Sequence, residues 1–218
     1  PEQQRIIFLC PSRRAYAELC HLITLARRRS EKGHYRIEQA DFEGLRDGLL
    51  LWRPSGVAEA DHSFASWLSG QQRDRSWLLY ERLLDQFEAF QGLEFSEHCQ
   101  NLSVRFGLSL VCAGNVHMHH PERQALQDTL TAISLNRSVQ ELGFELFSNA
   151  ECAMRPLSKL RKIYPEYCLA ETLAIAKRCH FDLLIVDINL PGRSGIEWHE
   201  AFDPQTRRSD VIFMTGYA

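Results

Sequence analysis

The stretch Val111-Cys112-Ala113-Gly114-Asn115-Val116-His117-Met118-His119-His120 decides how this chain reads. An apolar run from Leu108 to Cys112 has the length of a buried strand and leads to a glycine, after which three histidines fall within four positions. The segment PERQALQDTLTAI follows. Its Pro121 suits the first turn of a helix, and Leu126, Leu130, Ile133 and Leu135 stand at helical spacing. Strand, turn and helix in this order make a βα unit. The carboxyl end of such a strand is where α/β proteins place metal or catalytic ligands.

The same alternation extends in both directions. Strands are predicted at Arg5–Cys10, Gly48–Trp52 and Ser76–Tyr80, the second closed by Pro54. Ser12 is the expected N-cap of a helix that ends in Arg27-Arg28-Arg29 and closes near Gly33, cations at the carboxyl terminus as the macrodipole prefers. Residues 34–48 predict a polar surface helix-turn, and residues 55–75 helix and loop around Phe64, Trp67 and Leu68. Leu83–Leu93 and Ser96–Phe106 predict amphipathic helix, and residues 147–181 a helical tail punctuated by Pro156 and Pro165. Strands separated by helices imply parallel pairing and an α/β class. After Phe181 comes one β-α-β unit: a strand at Asp182–Asp187, a helix at Ser194–Phe202 and a strand at Val211–Met214. The first strand starts without a preceding cap and the last ends at Thr215-Gly216, so both ends read as cuts through a fold.

Composition is that of a globular protein: 218 residues, 44% hydrophobic, 24% charged, net charge −3. Seven cysteines at 10, 20, 99, 112, 152, 168 and 179 form no CxxC pair and predict free, mostly buried thiols in a reducing cytoplasm. No leader and no apolar run of membrane-spanning length occurs. Charge is uneven, eight Lys/Arg against three Asp/Glu in residues 1–36 and five against twelve in residues 37–100. Arg27, Arg28 and Arg29 are the candidate contact to a DNA backbone, although a solvated helix end accounts for them better and direct DNA contact is doubtful. Trp52, Trp67 and Trp77 lie beside strands and are expected in the core.

Residues about 5–180 resemble the PHP (polymerase and histidinol phosphatase) domain of bacterial C-family DNA polymerases, in particular their error-prone branch. The resemblance rests on YAELCHLITLARRRSEKGHYRIEQADF, GLLLW, GLSLVCAGNVHMHHPERQALQDTLTAI and SNAECAMRPLSKLRKIYPEYCLAETLAIAKRCHF. FDLLIVDINLPGRSGIEWHEAF and DVIFMTGYA resemble the middle of a response-regulator receiver domain. Together they imply an α/β chain in three parts. Residues 1–146 would be a truncated PHP-like (β/α) barrel fragment, 147–181 a tail similar to the connection from PHP to palm, and 182–218 a partial receiver-like β-α-β unit.

The resemblance also assigns roles. The PHP family gathers His, Asp, Glu and Cys around divalent Zn, Mn or Mg at its strand ends, where the ions activate water and clamp phosphate oxygens. Its last ligand pair, Asp-x-His, here reads Asn115-Val116-His117. Glu81 matches an acidic strand-end position, but the His that often follows is Leu83. No His-x-His segment precedes these elements. The expected site is therefore degenerate, with no cofactor in this chain. Asp187 matches the receiver's phosphoacceptor and Thr215 its partner, without the acidic pair or the Lys that phosphotransfer needs. The implied function is a fragment of an error-prone polymerase III alpha-type subunit for DNA replication past damage and repair, inactive alone. Its partners, DNA and other mutasome or polymerase subunits, would be reached through the full-length parent. The alternatives are a phosphorelay receiver using Asp187 and a metal-dependent phosphoesterase using His117.

Overall fold

A computed structural model describes residues 4–32, 34–84, 93–180, 183–187 and 210–214. The chain divides into two compact units, one of residues 1–8 and 49–174, the other of residues 9–48 and 175–218.

The first unit is built on a four-stranded sheet of order β1 (Arg5–Leu9), β2 (Leu49–Arg53), β3 (Ser76–Glu81), β4 (Leu110–Ala113), with β2, β3 and β4 parallel. The pairing Trp52↔Leu78 and Glu81↔Ala113 fixes the register. The central strand β3, SWLLYE, is buried along all but its last residue. That is why it reads as a continuous apolar run rather than an alternating one: parallel strands are covered on both faces. Trp52, Leu49, Leu50, Leu78, Leu108 and Val111 are each at most 1% exposed and form the centre of the core.

Helices α2 (Ala58–Gln71) and α3 (Leu93–Phe106) follow β2 and β3. Phe64 and Leu68 of α2 are buried, Phe64 tilted against Trp52 with ring centroids 5.2 Å apart. From α3, Ser96 hydrogen-bonds the Tyr80 hydroxyl of β3. Pro121 opens a 3₁₀ turn that leads into α4 (Gln124–Leu135), ended by Asn136 in the left-handed region at φ 51°. A short α5 (Val139–Leu142) carries a Ser138/Glu141 capping box. Helices α6 (Leu157–Ile163) and α7 (Glu166–Arg178) each start behind a proline, Pro156 and Pro165, as predicted. The amide of Cys112 in β4 donates to the Thr172 hydroxyl on α7, and the Trp77 indole donates to Glu171.

One expectation needs correction. Leu126, Leu130, Ile133 and Leu135 stand at core spacing, yet they are 47%, 52%, 69% and 42% exposed, while Ala132 is the buried position of α4. Helical periodicity reports that a helix has an apolar face, not that the neighbouring chain covers it. The predicted helix at Leu83–Leu93 falls largely outside the described residues; Leu83 and Leu84 are non-helical and α3 begins at Leu93.

In the second unit, α1 (Arg13–Arg28) is capped by Ser12, whose hydroxyl accepts from the Ala15 amide, as its sequence predicts. Glu18 on α1 accepts from the backbone amides of Arg46, Asp47 and Gly48, fixing the turn ahead of β2. Phe42 and Leu45 are buried within the otherwise polar 34–48 segment. Strands β5 (Leu183–Asp187) and β6 (Asp210–Met214) pair in parallel, Asp187 opposite Met214. Parallel pairing was expected of a β-α-β unit; the connecting helix at Ser194–Phe202 lies outside the described residues.

Candidate functional site

The strands of the parallel sheet end together. In the register of β2 and β3, Arg53 falls opposite Leu79, and Glu81 is the next residue on the same face. Arg53 Nε therefore reaches Glu81 Oε2 at 2.8 Å, with the Glu81 side chain 9% exposed. The guanidinium also lies over the Phe95 ring, 5.5 Å from its centroid. The carboxylate that sequence marks as a ligand is thus already satisfied by a cation.

Beyond β4, Asn115 takes φ 44°, a left-handed conformation that a short amide side chain tolerates. Its Oδ1 lies 3.2 Å from His117 Nε2. His117 is exposed and tilts against Phe147, with ring centroids 4.9 Å apart. The backbone here is stitched to residues 150–154: the amides of His117 and Met118 donate to the Cys152 carbonyl, and the Met154 amide donates to Met118. Met118 packs into a small core with Cys152 and Ala153. His119 and His120 are exposed, and His120 Nδ1 stands 3.7 Å from Glu122. Asn115 and His117 do meet; Glu81 is held by Arg53. No group of three or more His, Cys, Asp or Glu side chains that could hold a metal occurs among the described residues. Asp has the same backbone tolerance as Asn, so Asn115→Asp is expected to fold unchanged. It is also expected to gain no thermal stabilisation from Mn²⁺, because Arg53 still occupies Glu81; a metal-dependent rise in melting temperature contradicts this.

Sequence reasoning missed the group that braces these strand ends. Arg155, 5% exposed at its side chain, donates from Nη1 to the Arg82 carbonyl at 2.6 Å and from Nη2 to the Tyr164 hydroxyl at 3.2 Å. Tyr164 donates to the Ala113 carbonyl and accepts from the Arg82 amide. Burial pushes the Tyr164 phenol above its ordinary pKa, against the opposing pull of Arg155. A Cβ at Gly114 would lie 3.0 Å from Arg155 Nη2, so the glycine lets the arginine approach the chain. Beside this brace, Cys112, Gly114, Leu160, Tyr164 and Leu173 line a largely apolar hollow of about 380 Å³.

A second cluster was also missed. Asp61, fully buried, accepts at Oδ1 from the Ser55 amide and hydroxyl and from Gln4, and at Oδ2 from the Gly56 amide. His98 Nε2 lies 2.8 Å from Oδ2, and Gln4 in turn accepts from the Trp52 indole. Gly56 sits at φ 88°, where a side chain is strained. Val57, the N-cap of α2, provides no side-chain cap, and Asp61 instead folds back to bind the amides of the turn that leads into the helix. The only local signal was an Asp in the first turn of a helix, near its positive end.

The arginine cluster is split. Arg27 donates to the Tyr35 hydroxyl at 2.6 Å and lies over its ring, and Arg29 binds Asp41 through two bonds of 2.7 and 2.9 Å. The Arg28 side chain is exposed and makes no ion pair or hydrogen bond among the described residues. The Arg29 bond holds the Asp41 carboxyl below its ordinary value. Arg29→Ala is expected to lower the melting temperature more than Arg28→Ala. That difference should shrink below about pH 4, where Asp41 protonates in the unfolded chain and then in the folded one. Equal effects of the two substitutions at neutral pH contradict it. Thr215 and the Asp187 side chain lie outside what the structure describes; Asp187 is the last residue of β5.

All seven cysteines are free; Cys99, Cys152 and Cys168 are buried, Cys10, Cys112 and Cys179 partly buried, and Cys20 exposed, so fewer are buried than the sequence predicts. Burial raises the Cys99 thiol to about 12, which keeps it protonated and unreactive.

These features define a mixed α/β protein with a parallel sheet whose strand ends are occupied by ion pairs and hydrogen bonds. Over 179 residues, 82% of the chain, the sequence is 45% identical to the error-prone DNA polymerase of Vibrio vulnificus. It is 40% identical over 185 residues to that of Pseudomonas savastanoi and 41% identical over 181 residues to that of Methylococcus capsulatus. The chain spans 17% of the length of each of these relatives. No protein-family model matches the chain.

Proposed function

We propose that the chain is the PHP-like segment of an error-prone C-family DNA polymerase and acts as a structural or docking module of that parent in cytoplasmic DNA synthesis past damage and in DNA repair. The observation that carries this is the 40–45% identity, sustained over four-fifths of the chain, to proteins of that name. The strand order β1-β2-β3-β4, in sequence order, supports a sector of a (β/α) barrel. By the resemblance, the palm aspartates that carry nucleotidyl transfer belong to other parts of the parent, and DNA and the other subunits are met through it. Among the described residues no helix is long and apolar enough to cross a membrane.

The strand ends support a degenerate metal site. Glu81 is bound by Arg53, and His117 faces an amide where the family has a carboxylate. An amide cannot neutralise a divalent cation, and a neighbouring guanidinium repels it. The test is a chimera in which this chain replaces the matched segment of the Vibrio vulnificus polymerase. We expect primer extension past an abasic site to survive; a folded chimera that has lost it refutes the assignment.

A second reading applies to residues 182–218. Asp187 ends a strand paired in parallel with its successor, the placement of a receiver phosphoacceptor. Without the acidic pair and the Lys, we expect no labelling by acetyl phosphate and Mg²⁺. Labelling that vanishes in Asp187→Ala would establish the phosphorelay function instead.

A further inference from the structure

Two of the free thiols are neighbours. Cys112, the third residue of β4, and Cys168, the third residue of α7, hydrogen-bond each other where the helix meets the strand. Thr172 fixes their spacing: its hydroxyl accepts from the Cys112 amide at 2.9 Å and donates to the Cys168 carbonyl at 2.8 Å. Cys168 is fully buried, whereas Cys112 forms part of the wall of the hollow of about 380 Å³. We propose that Cys112 and Cys168 are a peroxide-sensitive pair, and that the disulfide they form ties α7 to β4. Nothing in this chemistry depends on the identity of the parent polymerase.

The thiolate forms on Cys168. The hydrogen bond from Cys112 outweighs burial, the Tyr167 hydroxyl adds a second bond, and the Cys168 thiol lies below its ordinary pKa. Its place in the first turn of α7 acts in the same direction. Hydrogen peroxide is close to water in size, and at about 30 Å³ per water the hollow beside Cys112 has room for it. The Cys168 sulfur attacks one peroxide oxygen, an S–O bond forms and the O–O bond breaks. The released hydroxide takes up the thiol proton and leaves as water, and Cys168 is now a sulfenic acid. That step removes the largest cause that keeps the Cys112 thiol protonated, its bond to Cys168, while Thr172 and Arg155 go on favouring the Cys112 thiolate. Cys112 then attacks the Cys168 sulfur; the S–S bond forms, the S–O bond breaks, and hydroxide leaves with the Cys112 proton as a second water. Each sulfur has lost one electron and each peroxide oxygen has gained one. The cross-link closes a loop that contains α4, α5 and α6, which restricts the unfolded chain and raises stability.

The test treats the full 218-residue chain with hydrogen peroxide, blocks the remaining thiols and maps the peptides by mass spectrometry. A Cys112–Cys168 cross-link that dithiothreitol reverses is expected, with a melting temperature at least about 5 °C above that of the reduced chain. In Cys112→Ser both the link and the rise should vanish, and dimedone, which labels sulfenic acids, should mark Cys168. Cys168→Ser removes the thiol that ionises and is expected to leave Cys112 reduced at the same dose, so either variant serves if the other does not fold. The exposed Cys20 is the internal check on the oxidant. A dose that oxidises Cys20 and leaves Cys112 and Cys168 unlinked overturns the proposal. So does a link that leaves the melting temperature unchanged, and so does a rise that persists in both variants.

Discussion

Asp61→Ala is expected to remove about 3–5 kcal/mol of folding stability, the range for stripping one partner from a buried charged network. Small domains are stable by only about 5–15 kcal/mol, so the variant should be near unfolding at 37 °C. The reason is geometric. The carboxylate accepts from Ser55, Gly56, Gln4 and His98, and its loss leaves donors buried with nothing to replace it. It also frees the turn into α2, whose N-cap has no side-chain bond of its own. Asp61→Asn keeps an acceptor for Ser55 but turns an amide NH₂ toward Gly56 and His98; about 1–3 kcal/mol is expected for the donors left unsatisfied. Urea denaturation of both variants measures this, and a loss below about 1 kcal/mol in Asp61→Ala would show the network to be dispensable.

The same carboxyl sets an acid limit. Burial pushes its pKa up, but the hydrogen bonds from Ser55, His98 and Gly56 outweigh burial, and the net value lies below the ordinary one. A folded value depressed below the unfolded one stabilises at pH above about 3.9, and that stability is lost as pH falls further through the folded value. The stability lost between pH 5 and pH 2 should therefore be smaller in Asp61→Asn than in wild type.

Arg155→Ala is expected to cost about 3 kcal/mol, because a nearly buried guanidinium holds the Arg82 carbonyl and the Tyr164 hydroxyl with charge-assisted bonds. Tyr164→Phe should cost about 1–2 kcal/mol for the lost bonds to Ala113 and Arg82. As the two side chains share a bond, the double variant should lose less than the sum. Additivity within about 0.5 kcal/mol would mean that they brace the strand ends independently.

Glu81 shows where sequence reading reached and where it stopped. Its position at a strand end was legible from the apolar run SWLLY alone. Its occupation by Arg53 was not, since the two stand 28 residues apart and meet through the pairing of adjacent parallel strands. Once β2 and β3 are known to be neighbours, the period of two along a strand brings them together. The histidine run shows the converse: His117, His119 and His120 are exposed, while Met118 between His117 and His119 proved to be a core residue.

By itself, the sequence determined the order of the strands of the four-stranded sheet, the Ser12 cap, the prolines that start α6 and α7, and the likeness to error-prone polymerases. Each of these is written in residues that are neighbours along the chain, or in the run of identities itself. The tertiary structure alone decided that Asp61 is the hub of a buried network, that Arg155 and Tyr164 brace the strand ends, and that the apolar face of α4 stays exposed. It also decided that the NVHMHH run borders a cavity lined by two arginines and a paired glutamate. The reason is the range of the interactions. Periodicity and capping act over a few residues, whereas a side chain's partner is set by which strands and helices become neighbours.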